Sequence, residues 1–566
     1  MKGKLQKLFC LLAIGILASS LIAGFSSGSM DETLSRTSEI SSAEEYWSVR
    51  RPSWQKGDHW NYTYHLNTTD GPIESMYETG TVNYTVEGER SIVVGGTSMT
   101  VYHVISYRNF RAVGEREEDE PVGTVTFDLS GYTKSHEYYR RSTLELVAYE
   151  STTEMEGISD VTVVDDFELD MYIIDNSDVE ATQIGDFYSF PIRPEDEWRS
   201  ESRLDIYANS YTNMTSQDDL PGFPRSEEDI YDYEVIHDHG LEAIGMKTLE
   251  VGDASYDAVE IKGTDQWTWK ESDVDETGHV TTYFSQEVGN AVYTSMENIY
   301  DDNAGVNVTD ATYTLDSYSY EYSPPEDFEF DAYVEGDVYQ CKPGEEVTYQ
   351  ITVENRGKYD DTLTWEMENC TYILSVEGEK RISIQEGESK TFEVTLTFSE
   401  DSELDTTYKH TLGFRSMNDP SMSANVILET WICEHFLPVI ESRSPRLRNL
   451  IRYSNETVEL SVGVHNPEDD DVIVEWYIDG ELYSEGNEFD KSFQPGEYTV
   501  TVRVTNQGNH PDDYVEENWN LDIREPETPQ YFLLILLAVI IAVVVLVIVI
   551  VYIKRDKIKG LLSKDS

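Results

Sequence analysis

The chain has 566 residues, with 41 Lys+Arg against 109 Asp+Glu and a formal net charge of −68. It is too long for one core, so about three to five domains are expected, and its charge excludes a nucleic-acid binder that works by neutralising phosphates. An aromatic content of 12%, with 38 tyrosines, excludes a wholly disordered chain, and four Cys exclude a disulfide-stapled scaffold.

Residues 1–30 hold Lys2, Lys4 and Lys7 and no acid. The basic start, the apolar run from Leu8 and the small residues around Ala18–Gly24 read as a secretory signal over 1–24. It is either cleaved near Ala23 or Gly24 or kept as an anchor. Cys10 lies inside the apolar run with no small residue before it, unlike a lipidated cysteine. Residues 25–50 are polar and charged and read as a linker.

From Trp54 onward, short runs alternate apolar and polar residues, as in Thr81–Val86 and Thr100–Ile105. Period two with β-branched and aromatic residues predicts strands, and no ectodomain window shows a long capped helical period. The expected fold is mainly β. Two blocks, 51–186 and 187–320, repeat a weak pattern in the same order. Trp60 matches Trp198, Gly96–Val104 matches Asp253–Ile261, and Tyr138–Tyr149 matches Thr282–Tyr293. They are expected to be two antiparallel β-domains from a duplication. The Gly57-Asp58-His59-Trp60 opening, the Gly96–Val104 hairpin and the Tyr138–Tyr149 strand pair resemble the half-barrels of periplasmic lipoprotein-carrier-like proteins. That resemblance implies a concave face able to hold an apolar ligand. The alternative is a packed sheet whose aromatics fill a core.

Residues 321–331, with Pro324-Pro325, read as a linker. The block 332–434 runs from Pro343-Gly344-Glu345 through Val347–Val353, the turn Asn355-Arg356-Gly357 and Phe392–Leu396. This order resembles the immunoglobulin-like sandwich called NEW3, found beside sugar-active enzymes and in archaeal surface proteins. The block 435–525 carries Val472–Trp476, an Asp479-Gly480 turn and Pro495-Gly496-Glu497-Tyr498 leading into Val500–Val504. It is similar to the PKD domain, which implies a second sandwich with Trp476 in its core.

Residues 525–530 form a short stalk. Tyr531–Ile553 is a 23-residue run without charge, Pro or Gly, long enough at about 1.5 Å per residue to cross a hydrocarbon core of about 30 Å. Lys554-Arg555 follows, so residues 554–566 are expected to be a cytoplasmic tail and the rest extracytoplasmic, as a single-pass type I protein. Each end carries +3, which leaves −74 for the region between. A surface so acidic repels itself least in high salt. With few Cys and 18 Lys, it resembles proteins of halophilic or salt-tolerant archaea.

Seven Asn-x-Ser/Thr sites are glycosylation candidates: Asn61, Asn67, Asn83, Asn213, Asn307, Asn369 and Asn455. Cys341, Cys370 and Cys433 fall in or beside the NEW3-like block, and Cys341–Cys433, which bracket it, are the expected disulfide. Buried reduced thiols are the alternative. His237-Asp238-His239 is the one compact ligand-like cluster, because His at i and i+2 share a strand face, but no third zinc ligand is identifiable. Asp273–Gly278, Asp301–Asn303 and Asp469–Asp471 are oxygen-rich stretches that either hold Ca²⁺ or are solvated loops. No catalytic motif is found and no cofactor is expected. A structural, adhesive or binding role at the cell surface is expected, with the membrane and other envelope components as partners. A carrier of an apolar ligand, or a surface hydrolase with accessory sandwiches, is the alternative.

Overall fold

The computed structural model describes residues 34–39, 49–69, 75–94, 97–118, 123–162, 166–183, 190–216, 225–269, 278–301, 306–322, 326–335, 338–368, 372–445, 448–454, 456–468, 471–506 and 514–525. Every regular element among them is a strand. The expected signal (1–24) and the run Tyr531–Ile553 with its tail lie outside the described residues. Among those that are described, no helix is long and apolar enough to cross a membrane.

The first thirteen strands are β1 (Leu34–Glu39), β2 (His59–Thr69), β3 (Ser75–Val94), β4 (Thr97–Glu118), β5 (Gly123–Arg140), β6 (Leu146–Thr162), β7 (Asp166–Gln183), β8 (Glu197–Ser216), β9 (Arg225–Val251), β10 (Ala254–Trp269), β11 (Gly278–Ser285), β12 (Asn290–Asp301) and β13 (Val306–Ser319). From β2 onward each pairs antiparallel with the next, and β13 pairs back onto β2, from Ser319↔His59 to Asn307↔Thr69. Twelve strands thus form a closed up-and-down barrel, which leaves no exposed ladder. The stretch read as a polar linker contains β1, which pairs with the part of β9 beyond the reach of β8.

The two blocks read as separate domains lie in one sheet, six strands each. They are joined by β7 to β8 and by β13 to β2. Trp60 and Trp198 sit on the first strand of each half, Val101 and Val259 on the third, and Tyr139 and Tyr283 on the fourth. The segments that precede the halves also pair, Val49 with Ile192.

Alternation sorts the side chains. Trp60, Tyr62, Tyr64 and Leu66 point inward and are buried, as are Val82 and Tyr84. Thr81, Asn109, Arg111, Asp128 and Lys134 are exposed outside. Tyr77, Tyr107, Val113, Tyr132 and Ile158 are exposed on β3 to β6 as well. Twelve strands in a circle would leave a lumen. Instead β3 and β7, which are not neighbours, come within 8 Å at their Cα atoms, as do β9 and β13. Met155 and Ile173 pack in one cluster with Val82 and Phe110, so opposite walls meet. Gly131 permits the tight coil at β5–β6, where a Cβ would overlap the carbonyl oxygen of Glu154. Trp54, just ahead of β2, plugs one end. Its ring lies 5.2 Å from Trp60 and 5.4 Å from Tyr102, and its Nε1 donates to Gly289 O.

Two sandwiches follow. The first has β14 (Phe330–Val334), β15 (Val338–Cys341), β16 (Glu346–Asn355), β17 (Asp361–Glu368), β18 (Ile373–Gly378), β19 (Arg381–Ile384), β20 (Ser389–Phe398), β21 (Thr406–Ser416) and β22 (Ser423–Ile432). Its sheets are β14-β16-β20-β18 and β15-β22-β21-β17-β19, with β15 parallel to β22. The second has β23 (Val439–Ser444), β24 (Asn449–Tyr453), β25 (Thr457–His465), β26 (Val472–Ile478), β27 (Glu481–Glu485), β28 (Glu488–Ser492), β29 (Gly496–Asn506) and β30 (Val515–Arg524). Its sheets are β23-β25-β28 and β24-β30-β29-β26-β27, with β24 parallel to β30. This order is immunoglobulin-like. Each core holds a Trp on the equivalent strand, Trp365 on β17 and Trp476 on β26, buried to 2% and 0% exposure. Each indole N–H donates to a carbonyl, of Glu379 and of Gly486. Asp479 and Gly480 both have positive φ, as the two-residue turn between β26 and β27 requires.

Candidate functional site

Most polar side chains here face solvent, but the barrel interior holds a set that does not. On the inward positions of β2 to β4, Tyr64 OH donates to Glu78 at 2.5 Å and Arg108 Nε donates to Tyr64 OH at 2.6 Å. Arg108 also pairs with Glu78, and both are almost fully buried. Next on β5, Glu137 is wholly buried and accepts from Tyr139 OH at 2.5 Å and Ser135 Oγ at 3.0 Å. Burial pushes its carboxyl up, while these donors partly restrain it. On β7, Asp175 is 4% exposed, and neither carboxylate oxygen has a hydrogen-bond partner at good geometry. Burial raises it to about 7, with the nearby Ser210 hydroxyl acting the other way.

The cluster His237-Asp238-His239 lies on β9 and is split by alternation. His237 and His239 point inward and are buried, while Asp238 points out and accepts from the exposed Arg199. Register supplies the partner that sequence could not. Asp265 on β10 stands opposite His239, and its Oδ1 is 2.8 Å from His237 Nε2. Burial opposes the imidazolium, but Asp265 and Glu145 outweigh it and raise the His237 pKa. Glu145, from the β5–β6 turn, accepts from Ser202 Oγ at 2.8 Å. Two imidazoles, two carboxylates and a hydroxyl are thus gathered inside the barrel. As they stand, no three His, Cys, Asp or Glu side chains among the described residues are arranged to hold a metal ion.

Scarce arginines occupy the joints. Arg51 pairs with Glu354 of the first sandwich, both buried, and Arg50 meets Glu386 at 2.8 Å. Burial would raise the Glu354 carboxyl, but Arg51 and Arg356 outweigh it and hold it at about 2. Arg141 bridges Glu89 and Asp331. From the second sandwich, Arg443 reaches Asp178 at 2.7 Å and Arg448 reaches Glu150 at 2.5 Å. Ile451 packs with Ile174 and Tyr211 of the barrel wall.

Of the glycosylation candidates, Asn61, Asn67 and Asn83 lie on the outer faces of β2 and β3 with their amide groups engaged. Asn61 donates to Ser317 Oγ and Asn67 to Asp310 Oδ2, both at 2.9 Å, and Asn83 donates to Asn61. Asn213 is half-buried on β8, and Asn307 falls on β13. Asn369, Asn455, Cys370 and most of the three acidic stretches lie outside the described residues. Cys341 and Cys433, expected as a disulfide, stand as buried free thiols pushed up to about 11 and about 12 by burial. Their backbones meet, Cys433 N donating to Cys341 O at 3.0 Å. However, Cys341 shares its register position with Ile432, so alternation turns the next side chain, Cys433, to the opposite face.

Sequence reasoning missed Glu78, Arg108, Glu137 and Asp175. The available signal was parity. Glu78 is two residues from Met76, and Arg108 two from Phe110, so each shares its strand face with an apolar residue.

No protein-family profile matches the chain, and no curated protein matches it. Among solved structures, the fibronectin(III)-like modules of Clostridium thermocellum CbhA are 11% identical, covering 34% of this chain and 94% of theirs, with a TM-score of 0.15. The titin domains z1z2 in complex with telethonin are 14% identical, covering 35% and 95%, with a TM-score of 0.14. The N-terminal Ig1-2 module of the Drosophila receptor protein tyrosine phosphatase DLAR is 9% identical, covering 35% and 99%, with a TM-score of 0.14.

Proposed function

We propose that the chain is a single-pass, membrane-anchored extracytoplasmic protein with a structural, adhesive or binding role at the cell surface. The observation that carries this is the uncharged 23-residue run Tyr531–Ile553, begun soon after the last strand ends at Arg524 and followed at once by Lys554-Arg555. The basic, then apolar N-terminus supports the same topology. The acidic ectodomain suits a saline exterior, and the sequons suit glycosylation there. A closed barrel and two sandwiches form a stiff body that displays surface rather than performs chemistry. The apolar-carrier reading gains little from the interior, where Glu78, Arg108 and Glu137 are buried among packed side chains.

Fractionation tests the proposal. The full chain is expected to pellet with membranes and to be digested by protease added outside intact cells. A version ending at residue 530 is expected in the medium. A full chain recovered free of membranes, or one protected from outside protease, overturns it.

A further inference from the structure

Asp175 sits inside the barrel between two hydroxyl residues. Register places Thr153 of β6 on one side of it and Ser210 of β8 on the other. Residues directly opposite on antiparallel strands share a face, with Cβ atoms about 4.5–5.5 Å apart. That face is the interior one, since Met155, Ile173 and Ala208, two residues away on each strand, are core residues. Thr153 Oγ1 is in turn 2.9 Å from Thr133 Oγ1 on β5. All four polar side chains are more than nine-tenths buried.

A carboxylate and a hydroxyl on facing positions ordinarily hydrogen-bond, because either left alone in a dry interior is costly. Here neither Asp175 oxygen nor Ser210 Oγ has a partner at good geometry. The hydroxyl is near enough to act on the carboxyl, so the two are neighbours that do not close on each other. A buried charge is either protonated or neutralised by a cation, and among the described residues no Lys, Arg or His pairs with this one. The donors decide the class of ion. The carboxylate oxygens, Ser210 Oγ and Thr153 Oγ1 are hard ligands, suited to an alkali or alkaline-earth ion rather than a soft metal. Only the carboxylate is charged, and among the described residues no three acidic or other metal-binding side chains gather there. A divalent ion would therefore leave a positive charge buried. A water bridging Asp175 and Ser210 would leave the negative charge as it is.

We infer that Asp175, Ser210 and Thr153 form a buried site for a dehydrated monovalent cation, sodium or potassium, which ties β6, β7 and β8 together. The site goes beyond the surface role proposed above and is independent of the membrane anchor.

The test is thermal melting of the full chain in detergent at pH 8. Tetramethylammonium, which offers no bare charge to oxygen ligands, is replaced stepwise by sodium or by potassium. Constant ionic strength holds surface screening fixed. A saturable rise in melting temperature is expected, as for any ion bound only by the folded state. The ion that saturates at the lower concentration is the natural occupant. At pH 4 the rise is expected to vanish, because a proton then holds the carboxyl neutral. In tetramethylammonium the carboxylate stays unpaired, so Asp175→Asn melts above the unaltered chain; in the preferred cation that gap closes. Asp175→Asn is expected to lose the saturable rise, and Ser210→Ala to need about tenfold more cation. Asp128→Asn, on the outer face of β5, is expected to keep it. Equal melting in all three cations, the outcome if a water bridges the two groups, overturns the inference. So does a saturable rise unmoved by Asp175→Asn or by Ser210→Ala.

Discussion

Asp175 and Glu354 are both buried carboxylates, and their surroundings push them in opposite directions. Among the described residues no cation pairs with Asp175, and its folded value of about 7 lies above the unfolded 3.8. The folded state then binds the extra proton between those values, so this contribution to stability is complete below about pH 4 and is lost as pH rises to about 7. The shift corresponds to an upper limit of about 4 kcal/mol. Asp175→Asn is expected to raise the melting temperature at pH 8 and to leave it nearly unchanged at pH 4. An equal effect at both values would remove the unpaired carboxylate as the cause. Glu354 is held at about 2 against an ordinary 4.5. Its contribution is present above about pH 4.5 and is lost as pH falls towards 2. Glu354→Ala leaves the Arg51 guanidinium buried without its main partner, a change that typically costs about 3–5 kcal/mol. Denaturant unfolding at pH 7 measures this, and a cost below about 1 kcal/mol would mean that water reaches Arg51.

At the scale of elements, alternation told where strands lie. Thr81–Val86 and Thr100–Ile105 fall inside β3 and β4, and Trp476 occupies the sandwich core expected of it. Period two also told which residues share a face. It did not tell which strand pairs with which, because a half-buried strand has the same pattern whatever its neighbour. The closure of β13 on β2 joins residues about 250 positions apart, and no local feature announces it. The interior charges were hidden for a related reason. In a chain with 109 acids, a Glu on a strand looks like surface until register turns it inward. Asp265 became the partner of His237 only through the β9–β10 pairing. The paired Trp365 and Trp476 give an element-level prediction. Trp365→Ala should unfold the first sandwich with a loss of about 3–5 kcal/mol while the β26-centred core keeps its own transition, as resolved by calorimetry with Trp476→Ala as the mirror experiment. A single shared transition in both variants would show that the two sandwiches melt as one unit.

Ion pairs recur at the joints between the three bodies. Arg443–Asp178 and Arg448–Glu150 link the second sandwich to the barrel, beside the Ile174–Tyr211–Ile451 cluster, Tyr207 against the sandwich core and Arg524 over the Tyr211 ring. Partly buried pairs are less screened than exposed ones, though still weakened by salt. The double change Arg443→Ala and Arg448→Ala is expected to free the sandwich, seen as a larger radius of gyration in X-ray scattering with barrel melting preserved. An unchanged radius would mean that the remaining contacts of Ile451, Tyr207 and Arg524 hold the sandwich without the two ion pairs.

The barrel's own closure governs how it carries load. The chain enters at His59 and leaves at Ser319, and these two residues are paired. Once β1 and the Val49–Ile192 bridge have given way, tension between the two ends would therefore peel β13 from β2 one hydrogen bond at a time, the weakest way to pull a sheet. Arg50 and Arg51 sit just ahead of that point and grip Glu386 and Glu354 just beyond it. They form a shunt: force passes from the N-terminal segment into the first sandwich and around the barrel, and the seam stays slack until the two arginines let go.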